Sequence, residues 1–199
     1  MGFGLENNAL AAQKRSGPDW RWIVTIFAIT VCISALMSLI STNLLSSASL
    51  AVSFVILVCI IAIGIVFDII GVAVTAVDEK PFHSMASRKV PEAAEALKLI
   101  RNAGRVSSFC NDVIGDICGV ISGSAAATIA SRLWAMHPST KELVITLSMS
   151  ALAAGLTVGG KACGKSFAIG SSTSVVRTAA TILHFFHTIP EKLRPRRKH

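Results

Sequence analysis

Residues 23–45 (IVTIFAITVCISALMSLISTNLL) contain no charged side chain, and the next run, about 50–77, contains one, Asp68. At ~1.5 Å of rise per residue either run crosses a hydrocarbon core of ~30 Å as a helix. A signal peptide would also pair a basic flank with an apolar run, but an apolar region longer than ~15 residues predicts a retained anchor instead. The pattern then changes. Residues 79–105 are rich in charge, with apolar positions Ala93, Ala96, Leu97 and Ile100 recurring at helical spacing after Pro91. This predicts an amphipathic helical hairpin at the membrane surface. A third span, about 107–134, is rich in Gly, Ser and Ala and contains Asn111, Asp112 and Asp116. His137-Pro138 marks a turn. A fourth span follows at about 142–160, with the Gly159-Gly160-Lys161 run expected to break it. The predicted fold is an all-α integral membrane protein with four transmembrane helices and a cytoplasmic amphipathic helical hairpin. Its divisions are a cytoplasmic N-terminal segment (1–22), a first transmembrane helix (23–45), a transmembrane domain (46–170) and a basic, solvated cytoplasmic tail (171–199).

Composition fits this class and excludes others. Of 199 residues, 52% are apolar and only 15% charged, against roughly 25% charged in a typical soluble domain. A soluble fold of this size could not bury so much apolar surface, and a disordered chain would not carry it. The formal charge is +8, which raises the question of nucleic acid. The basic residues, however, stand in blocks beside the apolar runs, as positive-inside flanks do. With four spans both termini share one side. Of the 19 Lys and Arg, 17 then lie on that side and only Arg132 and Lys141 on the other. The common side is predicted to be cytoplasmic, giving a multi-pass cell-membrane protein with no nucleic-acid partner. The basic run ending in Arg196, Arg197 and Lys198 would lie near anionic lipid. The five cysteines form no C-x-x-C pair and read as reduced, mostly buried thiols.

Carboxylates in apolar spans are the candidate chemistry. Each costs at least ~2.5 kcal/mol to bury in a bilayer, so it normally faces protein, water or an ion. Asp68 lies in the cytoplasmic half of the second span. Asp112 and Asp116, spaced i and i+4, share a face in the same half of the third. Oxygen ligands suit a hard cation such as Mg²⁺, and no His or Cys cluster favours zinc. The competing reading is a buried interhelical network in which Lys161 or Lys165 neutralises the acids.

Gly159 to Ser166 (GGKACGKS) fits the phosphate-loop pattern G-x-x-x-x-G-K-[ST] letter for letter. Such a loop needs a strand before it and a parallel sheet around it, whereas a membrane span precedes this one, so no nucleotide is expected. Trp20, Trp22 and Trp134 stand at span ends as interfacial anchors. His83, His184 and His187 fall near the predicted inner surface and read as packing residues. Gly119, Gly123 and Ala127, spaced by four, would admit a close helix neighbour within the protomer or across a dimer. No nucleophile–base pairing is visible, so no enzyme activity is expected.

Several of these stretches, taken in order, resemble the transmembrane domain of the cyclin-M and CorB/CorC magnesium transporters. Phe67-Asp68-Ile69-Ile70-Gly71-Val72-Ala73 stands where that family carries F-S-G-S-E-T-A. Pro91-Glu92-Ala93-Ala94-Glu95-Ala96-Leu97-Lys98-Leu99 is similar to its P-x-A-x-x-A-L-x-L hairpin pattern. Ile114-Gly115-Asp116 stands at its I-G-N, and Gly160 to Ala168 at its G-E-x-x-P-K-x-x-A. The resemblance covers roughly residues 50–170. It implies a dimeric domain holding dehydrated Mg²⁺ at broken helices, with Asp68, Asp116 and the backbone near Gly71 and Gly115 around the cation. The departures are chemical. Serines of the first signature become Asp68 and Ile70, its glutamate becomes Gly71, and the acid of the last motif becomes Lys161. With residues 169–199 remaining, the family's CBS domains are not expected.

The function expected from this reading is a divalent-cation transporter or channel, most readily for magnesium, with Asp68, Asn111, Asp112 and Asp116 as ligands. Gly71 and Gly115 would support it through their backbone, and Lys161 and Lys165 are possible charge partners. The partners expected are the lipid bilayer, the cation and a second copy of the chain. The alternative is a non-transporting membrane interaction protein that keeps the fold.

Overall fold

The computed structural model describes residues 20–193, all of its regular structure helical. Most of the N-terminal segment 1–22, the basic residues Arg194 to Lys198, and the side chains of His187 and Lys192 lie outside the described residues. The helices are α1 (Trp20–Ser47), α2 (Leu50–Ala76), α3 (Lys80–Ser87), α4 (Ala93–Arg101), α5 (Ala103–Ser108), α6 (Gly115–Met136), α7 (Glu142–Gly170) and α8 (Ser172–Leu193). A π-helical turn, Phe109–Ile114, joins α5 to α6. Four helical stretches are long and apolar enough to cross a membrane: Trp20–Leu45, Leu50–Ala76, Ala103–Met136 and Glu142–Gly170.

The junction between α1 and α2 is built from polar groups. Ser49 has an extended backbone and its Oγ accepts a hydrogen bond from Val52 N at 3.4 Å, which starts α2 as an N-cap. From α6, Arg132 donates to the Leu45 carbonyl, to the Ala48 carbonyl at 2.9 Å and to Ser53 Oγ at 3.4 Å. The end of α1 leaves carbonyls without helical partners, and the guanidinium supplies donors to that of Leu45 in its last turn and to that of Ala48 just beyond it.

At the other end of α2, α3 closes with a Schellman-type turn. Val90 N donates to Met85 O at 3.1 Å and Lys89 N to Ala86 O at 2.9 Å. Lys89 takes φ 57°, the left-handed conformation usually left to glycine at this position. Pro91 follows and prevents the helix from resuming before α4. The two short helices pack on each other, and Phe82, wholly buried, joins Ala73, Val74, Ala96, Ile100, Ala168, Val176 and Ala180 in one apolar cluster. The sequence rhythm Ala93, Ala96 and Ile100 is therefore the buried face of α4.

Two further clusters fill the middle and the Arg132 end of the bundle. Leu57 and Ile61 of α2 meet Ala125, Ala126, Ile129 and Ala130 of α6 with Met149 and Ala153 of α7. Ile60 meets Val113, Ile117, Cys118 and Ile121, with Ile26, Ile33 and Met37 of α1 against them. Outside these seams the long helices present apolar side chains outward: none of the most apolar stretch of α1 is buried, and Phe27, Leu36, Val55, Leu147 and Leu156 are all more than half exposed.

Two expectations are corrected. Gly159-Gly160-Lys161 does not break the fourth span, because α7 continues to Gly170. Gly160 and Gly164 are small where α2 crosses: a β-carbon on Gly160 would collide with Ile65, and one on Gly164 would stand 2.8 Å from Ile69 Cγ1. They permit close contact between continuous helices, the role of G-x-x-x-G in helix pairs. The residues after 171 are not a solvated extension throughout. Ser172–Leu193 forms α8, whose Val176 and Ala180 are buried against α2 and α4, and Arg177 reaches Glu92 at 3.6 Å. Of the two neighbours expected for the Gly119–Gly123 face, the one within the protomer does not close on it, since neither glycine has a heavy atom within 4 Å of a would-be β-carbon. Within the protomer that face borders a groove of about 270 Å³ lined by Ser122, Ser150, Ala154 and Thr157.

Candidate functional site

Asp68 lies on α2 between its contacts with the middle of the bundle and those with α3, α4 and α8. It is 4% exposed. Its position follows from helix arithmetic: Ile61, Gly64, Asp68 and Gly71 recur at spacings of three and four, so they share the face buried against α6 and α7. An ionised carboxylate placed there needs a partner. Lys161 of α7 supplies one, its Nζ 3.6 Å from Asp68 Oδ1. Charge-assisted hydrogen bonds of this type normally measure about 2.7–2.9 Å, so this is an ion pair held apart. The second oxygen, Oδ2, is buried and has no hydrogen-bond partner.

One helical turn beyond Asp68, Gly71 faces Asn111. The absent β-carbon is what makes room: an alanine there would collide with Asn111 Oδ1. Asn111 belongs to the π-helical turn, where Gly115 N donates to Cys110 O, five residues back. Such a turn inserts one residue into the helical repeat and shifts which side chains face a neighbour. Asn111 Nδ2 donates to Ser107 Oγ at 3.2 Å, while Oδ1 is buried without a hydrogen-bond partner. Gly115, the first residue after the turn, lies beneath Lys161: a β-carbon there would stand 3.1 Å from Nζ.

The structure thus brings together Asp68, Lys161, Asn111, Gly71 and Gly115, four of them on the sequence-predicted list of ligands and supporting backbone. Asp112 and Asp116 are exposed, as is Lys165. Among the described residues no three His, Cys, Asp or Glu side chains cluster, so Asp112 and Asp116 do not join Asp68. The physical reason is helix geometry: Asp112 follows Asn111 by one residue, about 100° around the helix, so with Asn111 facing α2 both Asp112 and Asp116, four residues on, turn away. The roles of Gly160, Gly164 and Arg132 were not assigned from sequence. The first two carry a usable signal in their four-residue spacing; Arg132, one of two basic residues between positions 106 and 160, carries only its rarity.

Chemically, the cluster is one buried negative charge, one neighbouring positive charge and two orphaned acceptor oxygens on facing helices. Oxygen acceptors without donors suit a hard cation or a proton-bearing guest, and they do not suit an anion. No protein-family model, curated protein or solved structure matches this chain.

Proposed function

We propose that the chain is a multi-pass membrane protein that binds and passes a divalent cation, magnesium first among candidates. The single observation that carries this reading is the pair of buried, unpartnered oxygens, Asp68 Oδ2 and Asn111 Oδ1. In this reading four spans place both termini in the cytoplasm, because 17 of the 19 Lys and Arg then lie on that side. The apolar faces of α1, α2 and α7 contact lipid, and the α3–α4 pair forms the cytoplasmic hairpin. Asp68 and the Asn111 carboxamide take over part of the ion's hydration shell, with backbone near Gly71 and Gly115 alongside. Asp112 and Asp116, exposed next to Asn111 and Gly115 in the chain, raise the local cation concentration at the cytoplasmic mouth. The similarity to the cyclin-M and CorB/CorC domain supports the same ion and a homodimer.

A second reading has its own observation. The Asp68–Lys161 pair already neutralises the carboxylate, as it would in a membrane interaction protein that keeps the bundle without transporting.

The thermal midpoint of the detergent-purified protein against Mg²⁺ separates the two. A cation site at a hundredfold excess over its Kd stabilises the fold by ~2.7 kcal/mol. A Mg²⁺-dependent rise that Asp68→Asn and Asn111→Ala both remove supports the site, and Mg²⁺ flux in proteoliposomes follows as the test of transport. A flat wild-type curve, with Asp68→Asn less stable because Lys161 is left without its partner, supports the interaction protein.

A further inference from the structure

Lys161 is the one feature of the site that a cation reading does not require and that opposes it. Three observations describe its position. Its ammonium stands 3.6 Å from Asp68 Oδ1, outside the range of a well-formed charge-assisted bond. It rests where a side chain at position 115 would lie, so Gly115 is what admits it. Its side chain is 24% exposed while that of Asp68 is 6% exposed, so the lysine has a way out of the cluster and the carboxylate has none.

We propose that the Lys161 ammonium is a tethered competitor, a built-in cation that occupies the Asp68 site until a divalent ion displaces it. The inference rests on the cation reading above and adds regulation to it. When the site holds no ion, the lysine keeps Asp68 from being buried with an unbalanced charge, which protects the bundle. An arriving divalent cation satisfies Asp68 Oδ2 and Asn111 Oδ1 and repels the ammonium. The long aliphatic stem lets the ammonium withdraw toward the cytoplasmic end of α7, where a lysine head group reaches water while its stem stays in apolar surroundings. Both ligands cannot hold Asp68 at once, so each lowers the affinity of the other for it. Apparent affinity for the ion is then set by how firmly the lysine is held and not by the oxygens alone.

The test is Mg²⁺ binding by isothermal titration to the detergent-purified full chain, in wild type, Lys161→Met, Lys161→Gln and Asp68→Asn. Both uncharged replacements of Lys161 are expected to bind at least tenfold more tightly than wild type, and Asp68→Asn to lose binding. Since removing Lys161 leaves Asp68 without its partner, reductive methylation of wild-type lysines gives a reading that needs no variant. Methylation of Lys161, followed by mass spectrometry, should rise severalfold on adding Mg²⁺ and not on adding an equal ionic strength of choline chloride. Wild-type binding that both Lys161 variants leave unchanged or weaken, with methylation indifferent to Mg²⁺, overturns the competitor and leaves the cation site standing. Absence of Mg²⁺ binding in every protein, with methylation equally indifferent, overturns the cation reading and the competitor with it.

Discussion

Asn111 Oδ1 occupies the space that a β-carbon on Gly71 would need. The contact joins the π-helical turn to α2 one helical turn from Asp68, so the side chain missing at position 71 decides where the carboxamide at position 111 can point. Gly71→Ala should displace Asn111 and cost about 1–3 kcal/mol, as overpacking of a close contact does. The expected readout is a lower thermal midpoint together with loss of any Mg²⁺-dependent rise. An unchanged midpoint would mean that Asn111 has another rotamer of equal energy, and the site would lose its second oxygen.

The glycines of α7 should not behave alike. A β-carbon at Gly159 has open space, so Gly159→Ala should be neutral or slightly stabilising, given that alanine is the better helix former by about 1 kcal/mol. Gly164→Val meets Ile69 and Ile65 and should force α7 from α2, lowering the midpoint by the equivalent of about 1–3 kcal/mol. ATP should shift neither variant nor wild type. A phosphate loop would require the opposite pattern, with Gly159 sensitive and ATP stabilising.

Arg132 closes the junction of α1 and α2. Arg132→Met keeps the stem and removes the donors to Leu45 O, Ala48 O and Ser53 Oγ. Each hydrogen bond to a charged group contributes ~1.5–3 kcal/mol, so the thermal midpoint should fall clearly, and Arg132→Lys should recover only part of it because one ammonium cannot reproduce the fork. Full rescue by lysine would reduce the clasp to a point charge.

Lys89 holds φ 57° in a turn that normally takes glycine. Lys89→Gly should raise the thermal midpoint by the equivalent of about 1 kcal/mol, by relieving the contact between Cβ and the backbone. Phe82→Ala, at the centre of the cluster that binds α3, α4 and α8 to α2, should cost about 3–5 kcal/mol. A small effect at Phe82 would mean that these short helices are held by something other than that cluster.

Orientation has its own check. Alkaline phosphatase, active only outside the cytoplasm, should be active when fused after Ser139 and inactive when fused after Ser87 in a bacterial host. The reverse result would overturn the positive-inside assignment and, with it, the cytoplasmic position of Asp68.

Four apolar helices, and the break between residues 77 and 103, are determined by the sequence alone. Runs without charge and a change of period are one-dimensional properties, and a helix that must satisfy every backbone group internally keeps them along its own axis. The abnormal residues were also legible, since Asp68 and Lys161 stand out in apolar surroundings whatever they contact. Tertiary structure decided which of them meet. Asn111 faces α2 while Asp112, one residue on, and Asp116 stay exposed, and no residue type in FCNDVI announces which of them turns inward. Gly159 and Gly164 spell a phosphate loop that the preceding apolar run already argues against, but that Gly160 and Gly164 instead admit a crossing helix is decided by Ile65 and Ile69 opposite. Side-chain partnership depends on the rotation of one helix against another. A single inserted residue changes that rotation by about 100° while leaving the hydrophobic composition of the helix intact.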